Sequence, residues 1–286
     1  MNWAVPAKTF LVGEYIALSQ QPAILLTTKP CFELRLNTST SRGLSAGSST
    51  FLFHPESPAG LFWAKTPFLH QFGFEWGCPY ENKGGLGGSS AEFVALYRAY
   101  CDLSKQPFNI QDMLTAYFAC QTGKVPSGYD VLAQCHEACV YIDRSAAIIQ
   151  SFRWPFPSMG FVLVHTGKKL ATHTYLQTKA LAWPESALIT IVKDVWQALS
   201  HHNEAAVISG INDYYQTLKD AHLVADHIPP LRESLMKLPG VVAAKGCGAM
   251  GADVMLLLCD NQKKVSIINT IKTMKLTILA TNEDLS

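Results

Sequence analysis

The second half of the chain switches repeatedly between short apolar runs and longer helical segments, and this order constrains the fold more than any other feature. Short apolar runs predict strands, whereas longer segments without turn residues predict helices. After the prolines of Arg153–Pro157, the predicted elements are a strand at Phe161–His165, helices from Thr172 to about Lys237, strands at Val241–Lys245 and Val254–Cys259, a helix at Asn261–Lys272 and a strand at Leu276–Ala280. This β-α-β-β-α-β order, with an expanded first crossover, is the ferredoxin-like motif.

The first half of the chain is richer in predicted strands. Phe32, Leu34 and Leu36 alternate with charged residues, which is typical of a half-buried strand. Further strands are predicted at Phe10–Val12, Ala23–Leu26 and Phe51–Phe53, a hairpin loop at Ser39–Thr50, and helices at Ser89–Leu103, Gln111–Gln121 and Tyr129–Glu137. The fold class is therefore α+β. Because the prolines of Arg153–Pro157 mark a change of pattern, we predict one domain at 1–155 and a second at 156–286.

Composition excludes several classes of protein. Hydrophobic residues make up 48% of the 286 residues and charged residues only 16%, which argues against disorder and coiled coil. A net charge of +1 provides no global field for nucleic acid or an anionic membrane, and no apolar run approaches the length of a membrane span. The eight cysteines form no Cys-x-x-Cys pair, so we expect reduced thiols and a cytoplasmic location.

The most informative segment is a glycine-rich run, Asn82–Ala91, that leads directly into a predicted helix. Its four glycines allow close approach of the backbone, and the start of the helix presents unpaired N–H groups and the positive end of the helix dipole. Such a site suits phosphate. Lys83 adds a positive charge, and the hydroxyl of Ser89 or Ser90 could reach a phosphate-bound magnesium ion. The spacing is neither that of a Walker loop nor that of a dinucleotide fingerprint, and a loop with Ser89 as a simple helix cap is the alternative.

Three other segments are ambiguous when each is taken alone. Pro6–Tyr15 places Lys8 before an apolar strand, which is also what an edge strand with a solvated lysine would show. Thr122–Asp130 is a glycine-containing turn that delivers Asp130 to the start of a helix, where a carboxylate favours the helix dipole. Lys245–Asp253 lies between two predicted strands and could be an ordinary hairpin turn.

Together these segments resemble the superfamily that includes galactokinase, homoserine kinase, mevalonate kinase and phosphomevalonate kinase, the GHMP kinases. Pro6–Tyr15 is similar to the first motif of the superfamily, Gly85–Ser90 to the second and Gly248–Gly251 to the third, and the motifs appear in order along the whole chain. The resemblance implies a two-lobed fold with a left-handed βαβ crossover in the N-terminal domain and a ferredoxin-like C-terminal domain. It also implies ATP and Mg²⁺ as cofactors.

Within the superfamily, the chain most resembles phosphomevalonate kinases. Lys83 before the glycines, the Gly123–Asp130 turn, Thr166–Lys168 and the closing Asp253 all match their pattern. Mevalonate kinases carry a magnesium-binding glutamate on the helix before the aspartate, and no carboxylate occurs here between Asp112 and Asp130. The implied reaction transfers the γ-phosphoryl group of ATP to 5-phosphomevalonate, a small anionic acceptor.

The resemblance assigns a role to each matching residue. It implies Lys8 and Asp130 as catalytic residues and Ser89 as a magnesium ligand. The implied ATP-binding residues are Lys83, Gly85, Leu86, Gly87, Gly88, Ser89 and Ser90. The implied substrate-binding residues are Glu14, Tyr15, Ser127, Gly128, Lys168, Gly248 and Ala249. Because a phosphate acceptor is already ionised at neutral pH, Asp130 could orient Lys8 instead of acting as a base.

Three positions depart from the superfamily pattern, namely Ala7 and Met250, which replace glycines, and Gly88, which replaces a serine. A methionine where the backbone needs positive φ would cost about 1 kcal/mol. The alternatives are therefore another GHMP kinase acting on mevalonate, homoserine or a sugar, a diphosphomevalonate decarboxylase, or a homologue that binds nucleotide without catalysis. We expect a monomer or homodimer that binds neither nucleic acid nor membrane.

Overall fold

The structure is a computed structural model that describes residues 1–37, 52–81, 83–121, 123, 125–167, 183–251 and 253–286. The described strands are β1 (Asn2–Val12), β2 (Ala23–Asn37), β3 (Gly73–Gly77), β4 (Cys139–Asp143), β5 (Ile148–Phe152), β6 (Met159–His165), β7 (Val241–Cys247), β8 (Val254–Asp260) and β9 (Thr277–Thr281). The described α-helices are α1 (Pro58–Lys65), α2 (Gly88–Ser104), α3 (Ile110–Ala119), α4 (Tyr129–Ala133), α5 (Glu185–Ser200), α6 (Glu204–Asp220), α7 (Ile228–Met236) and α8 (Lys264–Thr273). The hairpin loop predicted at Ser39–Thr50 and the helix start predicted at Thr172 lie outside the described residues.

The chain divides into two compact units. Unit 1 consists of Met1–Lys8, Lys29–Asn82 and Gly87–His136, and unit 2 consists of Thr9–Thr28, Lys83–Leu86 and Glu137–Ser286. The long strands β1 and β2 contribute residues to both units. Since the units interleave along the chain, the boundary after residue 155 stays a prediction.

Unit 1 packs its helices through aromatic side chains. In α2, nine of the side chains between Ser90 and Cys101 are buried, because apolar residues occupy most of its circumference. The ring of Phe93 lies 5.5 Å from Phe62 of α1 and 5.0 Å from Tyr117 of α3, both in edge-on geometry. Such aromatic pairs stabilise a core by about 0.5–1.5 kcal/mol each beyond the area that they bury. The start of α2 is therefore carried by a rigid element.

Unit 2 contains an antiparallel, four-stranded sheet in the order β7-β8-β6-β9. With β6 as the first strand of the motif, this order and the intervening helices give the predicted ferredoxin-like arrangement. Helices α6, α7 and α8 contribute to a hydrophobic core with this sheet, whose members include Val162, Tyr215, Ile228, Leu257 and Ile271. Nearly every residue of β6 and β8 is buried, without the alternation of a half-buried strand, because both strands are central in the sheet.

The same unit also holds a β-hairpin, in which β4 pairs with β5 and, on its other edge, with Ala23–Leu26 of β2. Its turn is held by Asp143, whose Oδ1 accepts hydrogen bonds from Ser145 Oγ at 2.7 Å and Ala146 N at 3.1 Å. Trp196 of α5 stacks on Tyr141 of β4 with ring centroids 4.5 Å apart. These contacts attach α5 to the strands of this hairpin.

Some predicted element boundaries were wrong. β2 is one continuous strand that joins the segment predicted at Ala23–Leu26 to the alternating segment predicted at Phe32, Leu34 and Leu36. Its pairing with β4 ends at Leu26 and its pairing with β3 begins at Glu33, so the missing N–H of Pro30 falls between the two registers. Leu52 and Phe53 form a bend where a strand was predicted, and α4 ends at Ala133 rather than near Glu137.

Of the helices in the described part of the chain, none combines the length and apolar character that crossing a membrane requires.

Candidate functional site

The second half of the glycine-rich run forms the start of α2 in unit 1. Gly87 is the N-cap residue with φ +78°, a left-handed conformation that glycine adopts without strain. A Cβ atom at Gly87 would lie 2.8 Å from Cε of Lys8 and 3.0 Å from Nε2 of Gln134. Glycine is therefore needed here both for its backbone conformation and for the close approach of two side chains.

The N-terminus of α2 has the properties expected of an anion site. Within the described part of the chain, no side chain caps the first turn, which also contains no acidic residue. Ser89 is exposed in this turn, whereas Ser90 is buried and donates its hydroxyl hydrogen to Gly87 O at 2.9 Å. Gly88 has room for a side chain, since an added Cβ would meet Phe32 at an ordinary distance of 3.6 Å.

Lys8 and Asp130 form an ion pair in unit 1. Nζ of Lys8 lies 2.8 Å from Oδ1 of Asp130, and the two side chains are 9% and 36% exposed. The aliphatic part of Lys8 lies against Gly87, so the ammonium group is held next to the start of α2. The structure thus brings together three residues that the sequence placed in separate motifs.

The turn before α4 presents Asp130 to Lys8. Gly128 has φ +79°, and a Cβ there would come within 2.8 Å of Leu114 and 2.9 Å of Phe118. The hydroxyl of Ser127 accepts a hydrogen bond from Tyr129 N at 3.3 Å. In this arrangement Gly128 is buried and Ser127 stabilises the turn, while Thr122 and Lys124 of the same motif lie outside the described residues.

Gln134 is a residue of this site that the sequence analysis missed. It is 1% exposed, and its Nε2 donates hydrogen bonds of 3.0 Å to both Pro6 O and Gly87 O. The amide thereby joins the strand that carries Lys8 to the loop that begins α2. No local pattern indicates this role, because a lone glutamine near a helix end is ordinarily a surface residue.

The first half of the glycine-rich run belongs to unit 2 and lies on the start of β8. A Cβ on Gly84 would be 2.5 Å from Oδ2 of Asp253, and one on Gly85 would be 2.7 Å from Cγ2 of Val254. Asp253 is buried and has φ +70°, and its carbonyl oxygen accepts a hydrogen bond from Thr166 N at 2.9 Å. Lys83 is half-buried and Leu86 is buried. The close approach explains why this part of the loop needs glycines.

The end of β6 adds an imidazole to this region of unit 2. Burial lowers the pKa of His165 below its ordinary 6.5, with the positive charge of Lys83 acting in the same direction and the carboxylate of Asp253 opposing them. The Gly167 N–H donates to Nδ1 of His165 at 3.1 Å, which requires that nitrogen to be unprotonated. His165 is therefore neutral at pH 7, so the cation here is Lys83.

The third motif forms a tight turn after β7 in unit 2. Gly248, Met250 and Gly251 have φ values of +82°, +59° and +63°, and Gly251 N donates to Gly248 O at 3.0 Å. Space is open around the Cα of Gly248. Met250 therefore adopts the left-handed backbone that a glycine would adopt at this position. Ala249 lies in the same turn.

Glu14 and Tyr15 of the first motif are interior residues of unit 2. The carboxylate of Glu14, 2% exposed, pairs with the fully buried ammonium of Lys245 at 2.8 Å. Burial acts to lower the pKa of Lys245, but Cys247, Glu14 and the hydrogen bonds to both outweigh burial and raise that pKa above its ordinary 10.5. Tyr15 is equally buried. Both residues contact protein groups where the sequence analysis expected substrate.

Two compact groups of predicted residues result, and each lies within one unit. Unit 1 gathers Lys8, Gly87, Gly88, Ser89, Ser90, Ser127, Gly128 and Asp130, and unit 2 gathers Glu14, Tyr15, Lys83, Gly85, Leu86, Gly248 and Ala249. Lys168 lies outside the described residues. In the part of the chain that the structure describes, no cluster of three His, Cys, Asp or Glu side chains could hold a metal ion by itself.

Similar solved structures cover almost the whole chain. Streptococcus pneumoniae phosphomevalonate kinase, in a complex with phosphomevalonate and AMPPNP, is 16% identical with a TM-score of 0.80 over 98% of this chain and 99% of that one. The chain has the GHMP kinase fold. Methanococcus jannaschii mevalonate kinase is 12% identical with a TM-score of 0.73 (98% and 97% covered), and Lactococcus lactis galactokinase, complexed with galactose, is 11% identical with a TM-score of 0.73 (100% and 94% covered).

At the level of sequence, no protein-family model matches the chain, and no curated protein matches it. The GHMP kinase fold is nevertheless compatible with all three departures from the motif pattern. Ala7 is fully buried in β1 without a positive φ, Gly88 has room for a Cβ atom, and Met250 keeps a left-handed backbone. The turns that carry the motifs therefore form with the residues that this chain contains.

Proposed function

We propose that the protein is an ATP-dependent small-molecule kinase that phosphorylates 5-phosphomevalonate. The observation that carries the proposal is the 2.8 Å ion pair between Lys8 and Asp130, packed against Gly87 at a helix start without a side-chain cap. Phosphoryl transfer requires chiefly positioning and neutralisation of charge, and a fixed ammonium next to unpaired N–H groups provides both.

In this proposal, the backbone N–H groups of Gly88, Ser89 and Ser90 bind phosphate oxygens of ATP. Lys83, Gly85, Leu86 and Gly87 complete the nucleotide loop. Mg²⁺ usually binds substrate phosphates, water and few protein oxygens, so the exposed Ser89 hydroxyl fits as its protein ligand, and the ion would neutralise phosphate charge. The bond from the γ-phosphorus to the leaving oxygen of ADP breaks, and a bond to an acceptor oxygen forms.

Lys8 and Asp130 have different tasks in this mechanism. The Lys8 ammonium neutralises the oxygens of the transferring group, and Asp130 holds that ammonium in place. A phosphate acceptor is already ionised near neutral pH and needs no general base. Asp130 is therefore a positioning residue for the phosphomevalonate reaction, whereas a hydroxyl acceptor such as mevalonate would give it the role of a base.

The acceptor is proposed from chemistry and from the resemblance. The phosphomevalonate kinase of Streptococcus pneumoniae was solved with phosphomevalonate and AMPPNP bound, and this chain shares its fold and the motif residues of such kinases. Ser127, Gly128, Lys168, Gly248 and Ala249 are proposed to contact the acceptor. The side chains of Glu14 and Tyr15 are buried, and we propose that they act through the residues around them.

The test is an assay of ADP formation with 5-phosphomevalonate, mevalonate, homoserine and galactose as acceptors. We expect turnover with 5-phosphomevalonate and a loss of about 10²- to 10³-fold in Lys8→Met, because one charge-stabilising group is removed. Lys193→Met, at an exposed position of α5, is the matched control and should retain activity.

The same assay separates the competing functions. Turnover with another acceptor would reassign the substrate within the GHMP kinases. Release of CO₂ together with ADP from diphosphomevalonate would indicate the decarboxylase. Binding of ATP without ADP formation from any acceptor would contradict the proposed kinase activity. A cytoplasmic location and a monomeric or homodimeric state stay predictions.

A further inference from the structure

We infer that Tyr15 is a positioning residue for nucleotide binding. It fixes the turn of the third motif, Gly248–Gly251, and that segment in turn supports the first half of the glycine-rich loop, Lys83–Leu86. The inference rests on the proposed function only in taking this loop to bind nucleotide. The contacts that carry it all lie within unit 2.

The hydroxyl group of Tyr15 joins two backbone segments. It donates a hydrogen bond to Leu223 O at 3.0 Å and accepts one from Met250 N at 2.8 Å. Tyr15 is 2% exposed, so water cannot replace either bond without rearrangement. A buried hydroxyl that satisfies one carbonyl and one N–H in this way fixes both segments relative to each other.

Met250 needs such an anchor because its backbone is left-handed. A side chain makes this conformation costly, and alternative backbone conformations compete with it. Its carbonyl accepts a hydrogen bond from Ala225 N at 2.8 Å, and its side chain is buried in the core of unit 2. The hydrogen bond from Met250 N to the Tyr15 hydroxyl is the third contact, so the carbonyl, the N–H and the side chain of Met250 are all fixed.

The turn of the third motif is followed closely by two residues that pack against the glycine-rich loop. Asp253, two residues beyond Gly251, is itself left-handed, and its carboxylate lies over Gly84. The next residue, Val254, lies against Gly85. We therefore expect a change in the path of the turn to shift the two side chains that lie against Gly84 and Gly85.

Amide hydrogen exchange of the nucleotide-free protein tests whether Tyr15 affects the glycine-rich loop through the turn of the third motif. Tyr15→Phe keeps the ring and removes the hydroxyl, and we expect faster exchange both in residues 248–253 and in residues 84–86. Tyr141→Phe is the matched control, because Tyr141 is also a buried tyrosine of unit 2 and contacts Trp196 instead of a motif. It should leave both segments unchanged.

Nucleotide affinity supplies the readout that a general loss of stability would not produce. If Tyr15→Phe lowers only the population of the binding-competent loop, the Kd for Mg-AMPPNP rises about 5- to 20-fold while kcat at saturating ATP changes less than about twofold. Misfolding of part of the sample would instead lower kcat and leave the Kd of the remainder unchanged.

Two variants of Asp253 keep the test decisive if Tyr15→Phe fails to fold. Asp253→Asn retains the shape of the side chain and tolerates the left-handed backbone. Residues 84–86 should therefore exchange their amide hydrogens as slowly in this variant as in wild type. Asp253→Ala removes the contact with Gly84 and should increase their exchange. Unchanged exchange of residues 84–86 in Asp253→Ala, or in a folded Tyr15→Phe variant, would overturn the inference. Wild-type protein that binds no nucleotide would contradict the proposed function alone, since the exchange result stands independently.

Discussion

Replacing Glu92 with glutamine should stabilise the protein at neutral and alkaline pH but not in acid. Glu92 lies in α2 one helical turn beyond Ser89 and is half-buried. In the described part of the chain, no hydrogen bond or ion pair to its carboxylate is found. Burial therefore raises its pKa from 4.5 to about 7.

The sign follows from proton binding by the two states. Below about pH 4.5 the carboxyl is protonated in both states and contributes no pH dependence. As the pH rises toward 7, the unfolded chain releases its proton while the native protein retains it, so the free energy of unfolding falls. At about 1.4 kcal/mol per pKa unit, the difference between 4.5 and about 7 corresponds to a loss of about 3 kcal/mol above pH 7.

The measurement is urea unfolding of wild type and Glu92→Gln at several pH values between 4.5 and 8. Glutamine has no charge at any of these values, so the stability of the variant relative to wild type should increase by about 3 kcal/mol across the range. Glu56→Gln, which changes an exposed carboxylate of the same unit, controls for the removal of a negative charge. A stability difference that does not vary with pH would refute the reasoning.

Three further substitutions test the packing around the motifs. Gly87→Ala forces a Cβ against Lys8 and a side chain into a left-handed backbone, so we expect a loss of about 1–2 kcal/mol in thermal unfolding and of about 10²-fold in ADP formation. Gly88→Ala, one residue later, has room for its Cβ and should show no comparable loss of stability in thermal unfolding. Lys245→Met removes the cation that pairs with the buried Glu14 carboxylate, and urea unfolding should show a loss of about 3–5 kcal/mol; near-wild-type stability would contradict a charged pair there.

The sequence could predict the glycine loop and the Lys8–Asp130 site because their signals are local. A glycine run before an apolar helix implies an exposed helix start, and each turn carries its polar residue at a position fixed by neighbouring glycines. Their proximity in space is not a local property, since 122 positions separate Lys8 from Asp130 in the sequence. Only the order of the motifs, through resemblance, indicated that they meet.

The strands β4 and β5 were missed although a signal for them exists. Cys139–Asp143 is a short run with β-branched and aromatic residues, and Asp143 is followed by the turn residues of a hairpin. The exposed Ile148 and Ile149 of β5 obscure the alternation that identifies a half-buried strand. Local periodicity fails here because the pairing of β5 with β4 decides its structure.

Glu14 and Tyr15 illustrate a different limit of sequence reasoning. Polar residues within a motif are naturally assigned to the ligand, but whether they face a ligand depends on what packs over them. Leu223 and Lys245, more than 200 positions away in the sequence, supply the partners that turn both side chains inward. No periodicity within the first motif contains that information.

Met250 shows how such long-range contacts let the chain depart from its motif. A left-handed methionine costs about 1–2 kcal/mol relative to glycine. Burying a methionine side chain contributes about 1.5–3 kcal/mol, and Met250 is buried in a core with Tyr215 and Ile228. The two ranges overlap, so burial offsets most or all of the cost, and the hydrogen bond from Met250 N to Tyr15 favours the same turn. Methionine in place of the motif glycine is therefore compatible with an intact turn, and the motif departure by itself gives no physical reason to expect an inactive protein.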